Sequence, residues 1–264
     1  MEIAGYIASL FIGLTLGLLG GGGSILTIPI LVYLFQIDAI IASAYSLFIV
    51  GITSFVGAVP KYREHLVNIR TGINFGVPSI LSIFITRKWI VASIPETLFT
   101  LEFFVFSKRM LLLGLFALLM VLAAISMIKG RKDFVQDPDP ARQGRIILEG
   151  ALIGFLTGLV GAGGGFLIIP ALVLLTGLPF KTAVGTSLFI IAINSLAGFL
   201  GDVFNHSIDW SFLLTITAIA VSGILLGNIF SRRISALFLR KTFGWFTLAM
   251  GFWILLKEFV LQPL

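Results

Sequence analysis

The chain has 264 residues, of which 58% are hydrophobic and only 11% are charged. Soluble domains carry about a quarter charged residues, so this composition excludes an ordinary soluble protein and indicates a helical membrane protein. The absence of cysteine excludes disulfides, thiolate metal sites and cysteine nucleophiles. The net charge of +6 comes from short loops between apolar segments, and we interpret it as a topology signal rather than a nucleic-acid-binding surface.

Apolar segments follow one another along the whole chain, and we expect each of them to be helical. They cover residues 3–19, 24–36, 41–59, 71–86, 109–128, 146–160, 165–177, 183–201, 211–230 and 242–260. Residues 95–107 carry two glutamates among apolar residues and are predicted to form an interfacial helix. The sequence therefore predicts an all-α, polytopic membrane protein.

One glycine-rich pattern occurs twice in the chain. Residues 17–29 read Gly-Leu-Leu-Gly-Gly-Gly-Gly-Ser-Ile-Leu-Thr-Ile-Pro, and residues 158–170 read Gly-Leu-Val-Gly-Ala-Gly-Gly-Gly-Phe-Leu-Ile-Ile-Pro. The match continues without gaps at the same spacing, so that Ser46, Ser54 and Gly57 correspond to Ser187, Ser195 and Gly198. We infer a duplication with a first half at 1–130, a linker at 131–145 and a second half at 146–264.

The two glycine runs interrupt apolar segments at matching positions of the two halves. Glycine destabilises a helix, and an unpaired peptide group in hydrocarbon costs several kcal/mol. Irregular backbone at membrane depth survives only around a cavity or inside protein, and paired breaks in two halves are typical of transporters. Residues 24–36 would form a helix of about 20 Å, too short for a hydrocarbon core of about 30 Å.

The distribution of positive charge predicts how these short helices lie in the membrane. If 3–36 crossed once as a broken helix, the 18 Lys and Arg residues would divide evenly between the two sides. A hairpin that returns to its own side places most of them on one side, as the positive-inside rule requires. The hairpin arrangement makes the second half an inverted repeat of the first, with the linker 131–145 cytoplasmic and both termini extracytoplasmic.

These features resemble the sulfite exporter TauE/SafE family, also called the TSUP transporters, over essentially the whole chain. The resemblance is carried by residues 20–24 with Pro29, residues 161–165 with Pro170, and Ala183-Val-Gly-Thr-Ser-Leu188. The first half departs from the family pattern where it has Ala44-Tyr45-Ser46. The resemblance implies a multi-pass protein of the cell (inner or plasma) membrane that moves sulfite, other sulfur oxyanions or organosulfonates, usually as an exporter.

Two glycine breaks that face each other near the midplane would form an anion site. Helix N-termini carry free N–H groups and the positive end of the helix dipole, and glycine lets an anion approach them closely. Hydroxyl and amide side chains on the following helices would add donors. The predicted substrate-binding residues are Gly20, Gly21, Gly22, Gly23, Ser24, Ser46, Thr53, Ser54, Gly161, Gly163, Gly164, Gly165, Thr186, Ser187, Asn194 and Ser195.

Several alternatives stay open at this point. The glycines can serve close helix packing alone, and each Ser or Thr can bond its own helix. The site can belong to an anion channel, to a carrier of another small carboxylate or oxyanion, or to a structural membrane protein. An enzyme is not expected, because neither glycine run continues as a phosphate loop and no nucleophile–base motif is present. We expect a small anionic substrate and the lipid bilayer as partners, with no cofactor, metal or nucleic acid, and homo-oligomer formation stays open.

The charge pattern also bears on the energy source. No Asp, Glu, Lys or Arg lies in the central part of a predicted span, so an internal carboxylate relay for protons is not supported. Moving one negative charge outward is favoured by about 2.3 kcal/mol per 100 mV when the inside is negative. The hypothesis is export driven by the membrane potential.

Overall fold

The computed structural model describes residues 2–37, 39–91, 93–95, 97–101, 104–129, 141–160, 165–174, 176–202 and 208–257. Within these ranges the fold is helical apart from one short hairpin, as the sequence predicts. The helices are α1 (Glu2–Leu19), α2 (Gly22–Tyr33), α3 (Ala39–Arg63), α4 (Ile69–Ile85), α5 (Lys108–Lys129), α6 (Ala141–Val160), α7 (Gly165–Leu174), α8 (Phe180–Asp202), α9 (Trp210–Arg233) and α10 (Ala236–Leu256).

Two details differ from the sequence prediction. Residues 95–107 do not form an interfacial helix, because strands β1 (Thr97–Leu101) and β2 (Phe104–Ser107) pair there as an antiparallel hairpin. Threonine, phenylalanine and valine dominate this stretch, and such residues favour strands over helices. Helix α6 also begins at Ala141, so the last residues of the predicted linker are helical. The other linker residues, 131–140, lie outside the described residues.

The helices fall into two length classes. Among the described residues, four helical stretches are long and apolar enough to cross a membrane: Ile41–Arg63, Ile69–Ile90, Phe180–Leu200 and Trp210–Arg233. Helices α2 and α7 have 12 and 10 residues. At 1.5 Å per residue they are about 18 and 15 Å long, well below a hydrocarbon core of about 30 Å.

The first two helices form a hairpin that returns along its own path. Near the closed end, a Cβ added at Gly23 would lie 2.3 Å from the Ile12 carbonyl oxygen. At the open end, the rings of Tyr6 and Phe35 meet edge to face with centroids 5.6 Å apart. The start of α1 is therefore close to the chain that follows α2, and the glycine break lies at the opposite end of the hairpin. We call this break, with residues 20–24, the first tip.

The helix that packs on α1 comes from the other half. A Cβ at Gly13 would clash with the Ala220 carbonyl oxygen of α9, and one at Gly17 would lie 2.9 Å from the Gly227 carbonyl carbon. The contacts advance in the same direction along both helices, so α1 and α9 pack in parallel. Small residues four apart on both helices allow this close backbone approach.

A matching interface joins α6 and α4. A Cβ at Gly154 would lie 2.4 Å from the Ser79 carbonyl oxygen, and one at Gly158 would lie 2.8 Å from the Thr86 Cβ. These four residues are the sequence counterparts of Gly13, Ala220, Gly17 and Gly227 at the spacing of 141. Each half thus contributes one helix to each of two equivalent interfaces.

Helices α3 and α8 are sequence counterparts that pack on each other in reverse order. A Cβ at Gly57 would lie 3.5 Å from the Leu188 Cδ1, and one at Gly198 would lie 3.3 Å from the Leu47 Cδ1. As the residue number rises along α3, it falls along α8. The two corresponding helices therefore run antiparallel through the centre of the protein.

Two helix N-termini are anchored in equivalent ways. The side chains of Asn68 and Asp209 cap α4 and α9. The Asn68 backbone N–H donates to the Thr186 Oγ1 at 3.0 Å, and the Asp209 backbone N–H donates to the Tyr45 hydroxyl at 2.8 Å. Each bond satisfies an N–H at the start of a helix. Tyr45, which stands where the second half has Thr186, therefore makes the equivalent hydrogen bond with a phenol hydroxyl in place of a threonine hydroxyl.

Candidate functional site

The two glycine breaks meet inside the protein. A Cβ at Gly21 would lie 2.4 Å from the Gly165 carbonyl oxygen, and a Cβ at Gly165 would lie 2.9 Å from the Ser24 Oγ. Gly165 is the sequence counterpart of Ser24, so equivalent points of the two halves are in contact. Gly165 is the part of the second glycine run that the structure describes, and the meeting of the two complete runs stays a prediction. The start of α7, with Gly165, is called the second tip below.

Helix α8 packs across the first tip. Gly20 has φ +73°, a left-handed backbone that suits glycine, and a Cβ there would lie 2.7 Å from the Val184 Cγ1. The Ser187 hydroxyl donates to the Val184 carbonyl at 2.8 Å and lies 3.5 Å from the Gly20 carbonyl oxygen. The second tip contacts the same face one turn later, since a Cβ at Gly165 would lie 2.8 Å from the Ile191 Cδ1.

The N-terminus of α2 has the composition of an anion-binding helix start. Its N-cap residue, Gly21, has no side-chain cap, so no side chain of the N-cap satisfies the first-turn N–H groups. The Ser24 hydroxyl is buried and donates its proton to the Gly21 carbonyl at 2.7 Å. It can therefore accept a further hydrogen bond but not donate one. The free amides and the helix dipole favour an anion at the first tip.

Two buried serines lack hydrogen-bond partners at matching positions. Ser54 on α3 and Ser195 on α8 are 0% and 1% exposed, and neither Oγ has a partner within the described part of the chain. A helical serine ordinarily bonds the carbonyl four residues earlier. Ser195 lies one turn beyond Ile191, on the face of α8 that touches the tips. An unsatisfied buried hydroxyl is costly, so both are candidates for contact with a bound solute.

Other predicted residues are buried but engaged elsewhere. Thr53 donates to the Ile49 carbonyl of its own helix, and Thr186 accepts the helix-start N–H of Asn68. The Asn194 amide donates to the Ser79 Oγ of α4 at 3.3 Å, while its Oδ1 has no partner among the described residues. Each of these three side chains has a hydrogen-bond partner within the described part of the protein.

The remaining predicted residues are five glycines and Ser46. Gly22 and Gly23 form the first turn of α2, where Gly23 packs against α1. Ser46, the counterpart of Ser187, is 5% exposed on α3. Gly161, Gly163 and Gly164 lie outside the described residues, so their place in the second tip stays a prediction.

From the sequence, Lys61, Arg63 and Lys181 are predicted to be topology charges, with attraction of anions at a cytoplasmic mouth as the alternative. Lys61, in the last turn of α3, is 4% exposed, and its Nζ donates to the Ser231 Oγ of α9 at 2.7 Å. The sequence does not predict this burial, because Lys61 lies two residues before Arg63, the last residue of α3, and both residues have the position of cytoplasmic loop charges. Pro60 does not end the helix, because α3 continues through it to Arg63.

Comparison with known proteins adds independent findings. Residues 6–254 match the family model described as Sulfite exporter TauE/SafE. A probable membrane transporter protein of Xylella fastidiosa (strain 9a5c) is 27% identical over 254 residues, covering 94% of this chain and 92% of the relative. The probable membrane transporter protein YunE of Bacillus subtilis (strain 168) is 27% identical, covering 86% of this chain and 87% of the relative.

A third relative comes from another organism. The probable membrane transporter protein MJ0441 of Methanocaldococcus jannaschii is 29% identical over 200 residues, covering 74% of this chain and 69% of the relative. No solved structure matches the chain significantly.

Proposed function

The chain belongs to the Sulfite exporter TauE/SafE family, and on that premise we propose that it exports a small sulfur-containing anion, such as sulfite or an organosulfonate. The family is one of membrane transporters rather than enzymes, and several apolar helices make the chain a multi-pass membrane protein. The substrate class, the direction and the site are our proposal. The observation that carries it is the contact between the two glycine breaks.

The proposed site uses backbone amides as its main anion ligands. The N–H groups of Gly22, Gly23 and Ser24 point out of the start of α2, where the helix dipole adds positive potential. Pyramidal and tetrahedral oxyanions need several donors around them, and a second helix start at Gly165 supplies them from the opposite side. The buried hydroxyls of Ser54 and Ser195 would complete the site from α3 and α8.

We further propose that the halves form an inverted repeat with re-entrant hairpins. Two observations support this arrangement: the corresponding helices α3 and α8 run antiparallel, and the hairpin of α1 and α2 returns to the side where it starts. An axis that exchanges antiparallel spanning helices lies in the membrane plane, as in many secondary transporters. Alternating access would then expose the site to one side at a time.

The proposed orientation places the linker 131–145 in the cytoplasm of an inner or plasma membrane protein. Because the chain has no cysteine, single cysteines can be introduced without a background. Gln136→Cys should react with a membrane-impermeant maleimide only after the cytoplasmic face is exposed, because this loop carries the positive charge excess. Labelling of Gln136→Cys from outside intact cells would contradict the orientation.

Transport by the purified protein tests the function. Proteoliposomes loaded with sulfite, sulfate, thiosulfate or methanesulfonate should show saturable counterflow of at least one sulfur anion. An outward flux should rise as a potassium-diffusion potential makes the interior more negative, since the substrate carries the charge. Flux that follows a pH gradient and ignores voltage would contradict potential-driven export, and large unitary currents without saturation would indicate a channel.

The site itself is tested at the first tip. Gly22→Val should lower counterflow more than about tenfold, because a β-branched side chain at the helix start keeps the anion from the amides. Gly76→Ala is the matched control, since an added Cβ there meets only Ile190 at 3.8 Å. Normal counterflow by a folded Gly22→Val protein would contradict the site.

A further inference from the structure

A buried lysine lies in the last turn of α3, beside the first turns of α8. Lys61 is 4% exposed, although lysines at helix ends ordinarily extend their ammonium groups to water or lipid headgroups. A Cβ at Gly185 would lie 3.2 Å from the Lys61 Cβ, so Lys61 packs against the first turns of α8. Two residues later on α8, the Ser187 hydroxyl lies 3.5 Å from the Gly20 carbonyl oxygen. Two residues are about half a turn of α8, so Lys61 and the first tip contact adjacent positions on different sides of this helix.

The hydrogen bonds of Lys61 are incomplete. An ammonium group has three donors, and within the described residues Nζ donates only to the neutral Ser231 Oγ, at 2.7 Å. Glu64, the carboxylate that acts on it electrostatically, binds the Arg232 Nε at 2.6 Å instead. Lys181 and Arg232 add further positive charge nearby. Among the described residues, the groups that act on one another here are three cations, Lys61, Lys181 and Arg232, and one carboxylate, Glu64, which pairs with Arg232.

An acceptor in the same cluster is also unpaired. Asn228, one turn before Ser231 on α9, is 3% exposed, and its amide donates to the Gly57 carbonyl at 3.1 Å. Its Oδ1 has no partner among the described residues. A Cβ at Gly17 would lie 2.8 Å from the Asn228 backbone nitrogen, so the Asn228 backbone packs against α1, the helix that leads into the first tip.

From this geometry we propose that Lys61 is a second anion-binding group, which receives the substrate on the side of α3's C-terminus before it reaches the tips. A lysine buried away from a paired carboxylate is costly, and such residues are kept in membrane proteins mainly for function. The free Nζ donors suit one oxygen of a sulfonate or oxyanion. The Asn228 Oδ1 can accept a hydrogen bond from a hydrogen-bearing anion such as bisulfite. This inference rests on the proposed function.

The other half has a different residue at the corresponding position. The counterpart of Lys61 is Asp202, at the end of α8, and the counterpart of Ser231 is Ile90. If the halves are inverted, the two positions face opposite sides of the membrane. A cation on the Lys61 side and a carboxylate on the other favour anion entry at one side and release at the other, so the assistance from Lys61 is one-sided.

Transport from each side tests this assignment. Half-saturation concentrations for sulfite and methanesulfonate are measured in inside-out and right-side-out vesicles. Lys61→Gln keeps the hydrogen bond to Ser231 and removes the charge, so it should raise the concentration about tenfold on the Lys61 side and less than about twofold on the other. Arg63→Gln, an exposed cation on the same turn, is the control and should change neither value more than about twofold. Equal effects of both variants, or no effect of Lys61→Gln, would overturn the proposal.

A wild-type measurement covers the case in which Lys61→Gln does not fold. Methanesulfonate at ten times its half-saturation concentration should slow carbamylation of Lys61 by cyanate about tenfold and leave Lys257 unchanged, as read by peptide mass spectrometry. Equal rates with and without the anion would contradict the site. Protection of Lys61 in a protein that moves no probe anion would support this site and contradict the proposed transport. If Gly22→Val loses counterflow while Lys61→Gln keeps the wild-type half-saturation concentrations, the proposed transport would be supported and the Lys61 site contradicted.

Discussion

Glycine serves two different purposes in two regions of this protein. The ridge glycines lie within unbroken helices at the α1–α9 and α4–α6 interfaces: Gly13, Gly17, Gly150, Gly154, Gly158, Gly223 and Gly227. The tip glycines, Gly20, Gly21 and Gly165, lie where helices start or stop. Both groups allow close backbone approach, so proximity does not distinguish them. The backbone does, because only the tips interrupt the helical hydrogen bonds and free amides for a ligand.

From this difference we propose that close packing accounts for the ridge glycines but does not by itself account for the tip glycines. At the ridges each glycine faces a backbone atom of a neighbouring helix, which accounts for the residue without any solute. At the first tip, Gly20 has a left-handed φ of +73° and Gly21 leaves α2 without a side-chain cap. Packing alone gives no reason for such a break in an apolar environment, where unsatisfied amides are costly.

The largest expected effect separates the two regions by stability. Gly13→Val places a side chain against the Ala220 carbonyl, and Gly223→Val does the same against that of Leu10. Neither backbone can retreat, so each variant should destabilise the protein by about 3 kcal/mol or more and reduce the folded yield. Thermal unfolding in detergent measures this loss.

The control for the ridge variants is Gly144→Ala, because an added Cβ there meets nothing within 4 Å. Its unfolding temperature should equal that of the wild-type protein or lie slightly above it, since alanine favours the helix. A stable, folded Gly13→Val protein would show that α1 and α9 do not pack as described.

A smaller effect is expected at the unpartnered serines. Ser54→Ala and Ser195→Ala should each raise the half-saturation concentration about fivefold, because each removes one hydrogen bond to the solute. Stability should stay constant or increase by up to about 1 kcal/mol, since a buried unsatisfied hydroxyl disappears. Counterflow and thermal unfolding of the same preparations measure both.

Ser222→Ala serves as the comparison for these serines. Ser222 is exposed on α9 and donates to the Ala218 carbonyl, so its loss should leave transport unchanged. Reduced stability with unchanged transport in Ser54→Ala and Ser195→Ala would identify both hydroxyls as structural.

The smallest expected effects concern the two helix anchors. Thr186→Val and Tyr45→Phe each remove the acceptor of one helix-start N–H, and each should cost about 1 kcal/mol of stability. Substrate affinity should change less than about twofold, because both hydroxyls face the loops before α4 and α9 rather than the tips. Strong loss of affinity in Thr186→Val alone would restore Thr186 to the binding site.

Much of the fold follows from hydropathy and from the duplication. Segments of apolar residues become helices in the described ranges because hydrocarbon requires every backbone group to be paired within the segment. The prediction is wrong at residues 95–107, where strand-forming residues override the expectation from two glutamates. Among the described residues of the second half, no strand pair corresponds to this hairpin.

The site could be predicted only in part. The meeting of the tips follows from two matched glycine runs in short helices. The direction of individual side chains does not follow, because it depends on which neighbouring helix each one faces. Asn194 and Thr186 therefore proved to bond α4, and Lys61 proved to be buried although its sequence neighbours are exposed.

An anomalous diffraction map of the protein crystallised with selenite tests the central claim most directly, since selenium replaces the sulfur of sulfite. The account predicts a selenium peak with its oxygens within hydrogen-bonding distance of the Gly22–Ser24 amides, opposite the start of α7. Continuous helix through residues 20–24, or selenite bound only away from both tips, would contradict it.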